Sequence, residues 1–390
     1  MPTSAPRIAA RLFAAVTLSL ALTSCGTNTS PIRCQVPSSS ASSTTCTCGT
    51  GECPAQPGPE FLYATTIGGQ ILAFSIDQNN NGALTSIGSV SGPAAGLGLA
   101  AVDNQFLYAS DTHNAQIDGF SINQTTGALT ALAGSPFPTG TLSIPGQMAA
   151  PPGEMGSSSL VLYAADAGTI DTFTISATGV PTALSGSPYV PESGFSIVVD
   201  PSSYFLYAAD DDPPGGIFAF TTNPLTAVLN SPFSIPGQTV ADSLPAGIAD
   251  SRGSYVYATL AQTNQVAAFS IASSGALTPV PGSPFSAGAT PTAVVVADNF
   301  LYAINSLDGT ISGYSVNSTN GVLTPLAGSP FAIVGSSLAT DYLGQHLYVA
   351  ALTAIQAFNI DSTSGGLTPS GSPFPVGGAM LLTVVQIPPP

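Results

Sequence analysis

The chain has 390 residues, of which 6% are charged: four Arg and no Lys stand against twenty acids. An acidic chain without basic patches does not neutralise phosphates, so nucleic acid and anionic lipid headgroups are excluded as partners. The length would allow two average domains, but one repeated unit occupies residues 61–390 as a single body.

In chain order, residues 1–24 read as a secretory signal. Arg7 and Arg11 form its charged start, and residues 12–22 form an apolar core too short to cross a bilayer as a helix. The leader ends in Leu22-Thr23-Ser24-Cys25, which resembles the lipobox of bacterial lipoproteins. That resemblance implies that Cys25 is acylated and becomes the new N-terminus. The alternative is ordinary cleavage with an unmodified Cys. Two or three acyl chains would hold the protein on a membrane of the bacterial cell envelope, where one chain alone is marginal. Gly26 follows instead of Asp, so the resemblance implies no inner-membrane retention and leaves the outer membrane open.

Residues 25–60 are rich in Ser, Thr, Pro and Cys and are expected to be a flexible tether. Besides Cys25 they hold Cys34, Cys46, Cys48 and Cys53, an even set in an oxidising compartment. Two disulfides are expected, with the pairing open. A metal site is the alternative, although Cys46 and Cys48 are separated by one residue, unlike the usual zinc spacings.

From residue 61 a unit of three short β-type runs and one preceding run recurs seven times. Its clearest copy spans residues 293–331. It has an apolar run at 293–296, then Phe300-Leu301-Tyr302-Ala303, a loop with Asp308-Gly309, a run at 311–316, Leu323-Thr324-Pro325, and Gly328-Ser329-Pro330-Phe331. Period-two alternation and a Gly turn between runs read as antiparallel strands. The tyrosines at 63, 108, 163, 207, 257, 302 and 348 repeat at roughly 44 to 55 residues, the length of a four-stranded propeller blade. The expected fold is all-β, a seven-bladed β-propeller. The first unit lacks its leading strand, and residues 380–386 stand unpaired at the other end. They are expected to pair beside residues 61–65 and close the ring, which removes exposed edges. The other innermost strands are expected at 97–102, 147–150, 195–199, 246–249, 293–297 and 337–340, the second of them weakened by Pro151-Pro152-Gly153. Connections between blades share a face with the turns between second and third strands. The long stretches 138–159 and 234–245 are assigned there as candidate ligand loops.

The repeats Phe-Leu-Tyr-Ala, Ile-x-x-Phe-Ser-Ile, Gly-x-Leu-Thr and Gly-Ser-Pro-Phe resemble the seven-bladed lactonase-like propeller family over residues 61–390. Members are often labelled 6-phosphogluconolactonase-like, so the resemblance implies a lactonase activity. In some propeller lactonases a calcium ion in the channel polarises the lactone. These motifs are framework, and they carry the fold more than the activity.

Asp111, Asp166 and Asp210 each follow a blade tyrosine on the candidate ligand face, Asp211 and Asp212 extend the last, and Asn305 holds the like place in the sixth blade. Such a set offers oxygen ligands for Ca²⁺, or it is a set of hairpin-turn residues. Asp103, Asp200, Asp250, Asp298 and Asp341 each end an innermost strand, where Asp bonds following amides. His113 lies beside Asp111 as a candidate general base, and His346 replaces the Phe of Phe-Leu-Tyr-Ala. No Gly-x-Ser-x-Gly elbow occurs, and Gly96-x-Gly98-x-x-Ala101 lacks the strand–turn–helix of a dinucleotide site. A phosphosugar needs a cationic clamp. Arg33 lies in the tether and Arg252 in a turn of the opposite face. The sequence reading is thus a lipid-anchored monomeric binding or interaction module for a protein or glycan. A lactonase-like hydrolase and a structural envelope protein are the alternatives.

Overall fold

Strands with both faces buried must lie between neighbours, and the Phe-Leu-Tyr-Ala runs are such strands. In Phe300–Asn305 every residue is buried. Tyr302 packs forward among Leu347 and Val349, while Leu301 and Ala303 pack backward among Tyr257 and Ala268. This period-two split makes each run the second strand of a sheet wedged between two other sheets. The computed structural model describes residues 58–94, 96–139, 146–151, 160–166, 168–189, 196–210, 216–237 and 245–387. Among these every regular element is a β-strand, and the strands form seven antiparallel sheets in a ring. The leader, Cys25 and the tether cysteines Cys34, Cys46, Cys48 and Cys53 lie outside the described residues.

The blades follow the repeats. From the inner strand outward, blade two holds Leu99–Val102, Phe106–Asp111, Gln116–Ile122 and Leu129–Ala131. Blade six holds Pro291–Ala297, Phe300–Asn305, Thr310–Val316 and Leu323–Pro325. The other inner strands are Met148–Ala149, Ser196–Val199, Pro245–Ser251 and Ser337–Thr340 in blades three, four, five and seven. Blade one has Glu60–Thr66, Gln70–Asp77 and Ala83–Ser91, and its inner strand is Ala379–Gln386. The register sets Tyr63 opposite Thr383 and Phe61 opposite Val385, so the C-terminal strand closes the ring as expected. Two sequence expectations are corrected. Asp250 lies inside the inner strand of blade five and does not end it. The stretch 138–159 is not one inter-blade loop: Met148–Ala149 divides it as the inner strand of blade three.

Buried hydrophobics fall into seven clusters, one at every junction between neighbouring blades. A buried phenol needs an acceptor, and each blade tyrosine finds it in the next blade. Tyr63 donates to Gly127 O at 2.7 Å, Tyr108 to Gly179 O at 2.6 Å, Tyr302 to Gly365 O at 2.7 Å and Tyr348 to Gly82 O at 3.0 Å. Tyr207 and Tyr257 do the same with Gly275 and Gly321. Tyr163 uses Thr222 O, because Asn223-Pro224 replaces the glycine turn in blade four. The accepting glycines have positive φ, and a Cβ on Gly365 would overlap the ring of Phe300.

The Gly-Ser-Pro-Phe motif has its own physical cause. The short fourth strand leaves a third-strand N–H unpaired, and the motif's serine hydroxyl accepts it. Gly119 N donates to Ser135 Oγ, Ala268 N to Ser283 Oγ and Gly313 N to Ser329 Oγ, each at 2.9 Å. The Phe then returns as a bridge, with Phe331 opposite Ile311 and Phe137 opposite Ile117.

Candidate functional site

All seven inner strands begin on the face that receives the inter-blade connections. There they line a channel mouth of about 190 Å³. Crowding dictates its residues: a Cβ on Gly98 would lie 2.8 Å from Met148 N, and one on Gly247 2.8 Å from Thr292 O. The polar side chains at the mouth are uncharged and serve neighbouring blades. Gln147 Oε1 accepts from Ser196 Oγ at 2.9 Å and from Ile197 N at 3.3 Å. Ser337 Oγ accepts Leu382 N at 3.2 Å. No titratable side chain lines the mouth among the described residues. What the arrangement can do is offer hydroxyl, amide and backbone groups to a neutral molecule. A larger groove of about 470 Å³ lies between blades six and seven beside Pro330, Phe331 and Phe358. Its lining is mostly apolar and holds no acid or base, so we place the candidate site at the mouth.

The predicted calcium residues are only partly brought together. Asp111 is buried and already bonded within its own turn. Its Oδ1 accepts His113 N at 3.0 Å and Asn114 N at 3.1 Å, and its Oδ2 accepts Asn114 Nδ2 at 2.8 Å. Asn305 is fully buried and donates to Thr310 Oγ1 and Ser312 Oγ, both at 2.9 Å. Asp166 and Asp210 close the second strands of blades three and four on the same face, opposite Thr169 and Gly216. Asp211 and Asp212 lie outside the described residues. Among the described residues no group of three or more His, Cys, Asp or Glu is placed to hold a metal. Asp111 is thus spent on its own hairpin, whereas Asn305 Oδ1 is buried without a hydrogen-bond partner.

The opposite face carries the inner-strand carboxylates, as expected for turn residues. Asp200 Oδ1 accepts Phe205 N at 2.7 Å, and its Oδ2 accepts Ser202 N at 3.1 Å. Asp341 accepts Gln345 N and His346 N and forms a buried pair with His346 Nδ1 at 2.8 Å. His346 thus fills the Phe position against Gly82, as its place in the repeat predicts. Arg252 pairs with Asp298 at 3.0 Å on this face, away from the mouth. His113 is exposed at its turn.

Glu60 and Asp118 escaped sequence reasoning, and Asp250 was read only as a turn residue. Glu60 is buried at the junction of blades seven and one, accepts Tyr342 N at 3.2 Å, and is pushed up to about 7 by burial and then by the charge of Asp341. Asp250 rises to about 7, mainly through burial. Asp118, in the third strand of blade two, rises to about 6 through burial and the nearby Asp111. The available signal was register: Asp118 stands opposite Ala109, a place where blade six has Ser312 opposite Ala303.

Residues 248–384, about a third of the chain, match the family model described as Lactonase, 7-bladed beta-propeller. The structure is similar to a candidate 6-phosphogluconolactonase from Bacteroides uniformis, with 21% identity, a TM-score of 0.68, and coverage of 85% of this chain and 100% of that one. A candidate 6-phosphogluconolactonase from Bacteroides fragilis gives 19% identity, a TM-score of 0.67, and 86% and 100% coverage. The periplasmic gluconolactonase PpgL of Pseudomonas aeruginosa gives 18%, 0.64, and 85% and 100%. No curated protein sequence matches the chain. At these identities the structural likeness speaks to the fold. Together with the family match it bears out the resemblance to the lactonase-like propellers.

Proposed function

We propose that this lactonase-like propeller is a binding module that takes an uncharged ligand, such as the end of a neutral glycan, at the channel mouth. The observation that carries the reading is the lining: seven inner strands supply hydroxyl, amide and aliphatic groups and, among the described residues, no acid, base or cation. The volume of about 190 Å³ is below that of most small-molecule pockets, so it suits one terminal unit of a longer ligand. Leu97→Trp at the exposed rim blocks the mouth without entering the core. Calorimetric titration with a panel of neutral oligosaccharides is expected to show binding by the wild type and its loss in this variant at unchanged Tm. Binding of equal strength in both would remove the mouth as the site.

A lactonase is the second reading, favoured by the names that the similar structures carry. A phosphosugar lactone lacks a clamp here, since Arg252 is paired on the far face. A neutral sugar lactone needs none. Proton release from D-glucono-1,5-lactone, measured at constant pH, tests this, and a rate equal to the buffer's would end it. Calcium dependence would rest on Asp166, Asp210, Asp211, Asp212 and the unpartnered Oδ1 of Asn305, and a melting curve unchanged between EDTA and Ca²⁺ would remove it. We also propose export and anchoring through Cys25 at the cell envelope. Metabolic labelling with a fatty acid should mark the wild type and not Cys25→Ser.

A further inference from the structure

Of the large aliphatic side chains exposed among the described residues, all but Leu184 and Leu229 gather on one sector of the connection face. Ile67, Leu307 and Leu352 stand in the turns between second and third strands of blades one, six and seven. Val334 and Leu97 stand in the connections entering blades seven and two. These five side chains are between 47% and 77% exposed.

They form one strip. A Cβ on Gly309, two residues beyond Leu307, would lie 3.2 Å from Val334. Ser336 N, two residues beyond Val334, donates to Ala350 O at 2.8 Å, at the foot of the turn that carries Leu352. Leu352 O accepts Gly378 N at 2.7 Å, and Gly378 O accepts Ile67 N at 2.9 Å. Gly69 O then accepts Gly92 N at 3.0 Å, in the connection that leads to Leu97. A contiguous apolar patch left in water marks a docking surface more often than scattered leucines do.

The charges around the strip have one sign. Asp308 is exposed beside Leu307 and accepts Ala289 N, and Asp111 and Asp118 lie on the blade-two side. The described cation, Arg252, is on the far face and paired. A second copy of this chain would bring a net charge of −16 against −16 and, among the described residues, no cation to this face. A lipid surface would find here neither the aromatic rings nor the Lys and Arg that hold proteins at headgroups.

We propose that the strip over blades six, seven, one and two docks a basic polypeptide through that partner's aliphatic side chains. The acidic field steers the partner in and the strip supplies the contact. This surface meets the channel mouth at Leu97 only, and the test below leaves Leu97 intact, so its failure is separable from failure of the ligand reading.

The probe is a fluorescent peptide of about 14 residues, with Leu and Lys in amphipathic order, titrated against the full chain by anisotropy. Triple replacement by Leu307→Ser, Val334→Ser and Leu352→Ser is expected to weaken binding at least about tenfold at unchanged Tm. Tyr204→Ser with Tyr342→Ser, on the opposite face, should leave it unchanged. Should the triple variant fold poorly, Leu307→Ser alone gives the same direction. Equal binding by wild type and triple variant, or no binding by the wild type, overturns the proposal. So does sedimentation showing a dimer that the triple variant dissolves, which assigns the strip to a second copy. Flotation with phosphatidylcholine vesicles that the triple variant loses would overturn it in favour of lipid.

Discussion

The two faces of the ring differ in how strictly their residues repeat from blade to blade. On the face of the first-to-second and third-to-fourth strand turns, carboxylates fold back on backbone amides. Asp200 holds Phe205 N and Ser202 N, Asp341 holds Gln345 N and His346 N, and Asp361 holds Thr363 N and Ser364 N. The same face holds the glycine turns that accept the tyrosines. On the connection face the tips carry Ile67, Leu307 and Leu352, exposed to water. The difference has a mechanical origin. Blades are tied to one another on the first face, so its residues must repeat. The second face carries none of those ties and is free to differ from blade to blade, which is where recognition is built.

That contrast can be broken by changes that range from the whole ring to a single exposed tip. Deleting residues 378–390 removes the inner strand of blade one and the partners of Glu60–Thr66. Loss of the cooperative melt is the expected result, and an unchanged melt would refute closure. Next comes Gly365→Ala, which puts a Cβ into Phe300 at a φ of +68°. It should cost about 2–4 kcal/mol by denaturant melting. Gly371→Ala, at a similar φ of +69° with nothing within 4 Å, should cost about 1 kcal/mol. The difference between the two isolates the close approach of Phe300 from the backbone strain.

Buried Glu60 makes the tied face sensitive to pH. Its folded value of about 7 lies above the ordinary 4.5. The folded protein therefore keeps a proton that the unfolded chain releases. Stability from this group is full below pH 4.5 and is lost as pH rises to about 7, by up to about 3 kcal/mol. Glu60→Gln should make that part of the stability curve shallower, with Asp250 and Asp118 supplying the slope that remains, and a curve as steep as the wild type's would assign the effect to those acids. Ser329→Ala leaves Gly313 N without its acceptor and should cost about 1 kcal/mol. The smallest effect belongs to the free face. Leu352→Ser, at an exposed tip, should shift stability by no more than about 0.5 kcal/mol.

The fold was legible because each local signal agrees with the others. Tyrosine spacing, the glycine turns and the unpaired run near the C-terminus all point to a closed ring, and the structure adds the bonds that explain them. The weak inner strand of blade three was also legible, since Pro151-Pro152-Gly153 stops Met148–Ala149 after two residues. The site was not. Asp111 has the same sequence context whether it faces a ligand or its own turn, and only its bonds to His113 N and Asn114 N decide. Glu60 was invisible because its burial depends on Tyr342, 282 residues away. Ser135 and Ser329 looked like turn punctuation until the unpaired third-strand amides gave them a task.

The tyrosine bonds all run in the same sense around the ring, each blade giving to its successor, Tyr348 to Gly82 included. Such a chain of donors has a free head and a free tail wherever it is cut. A fragment short of one blade would show a spare phenol at one end and a spare carbonyl at the other, and these are complementary. Two fragments can therefore complete each other, or many can join without end, as head-to-tail contacts that fail to close do. Ring closure thus protects the fold, and it also keeps each molecule separate from the next.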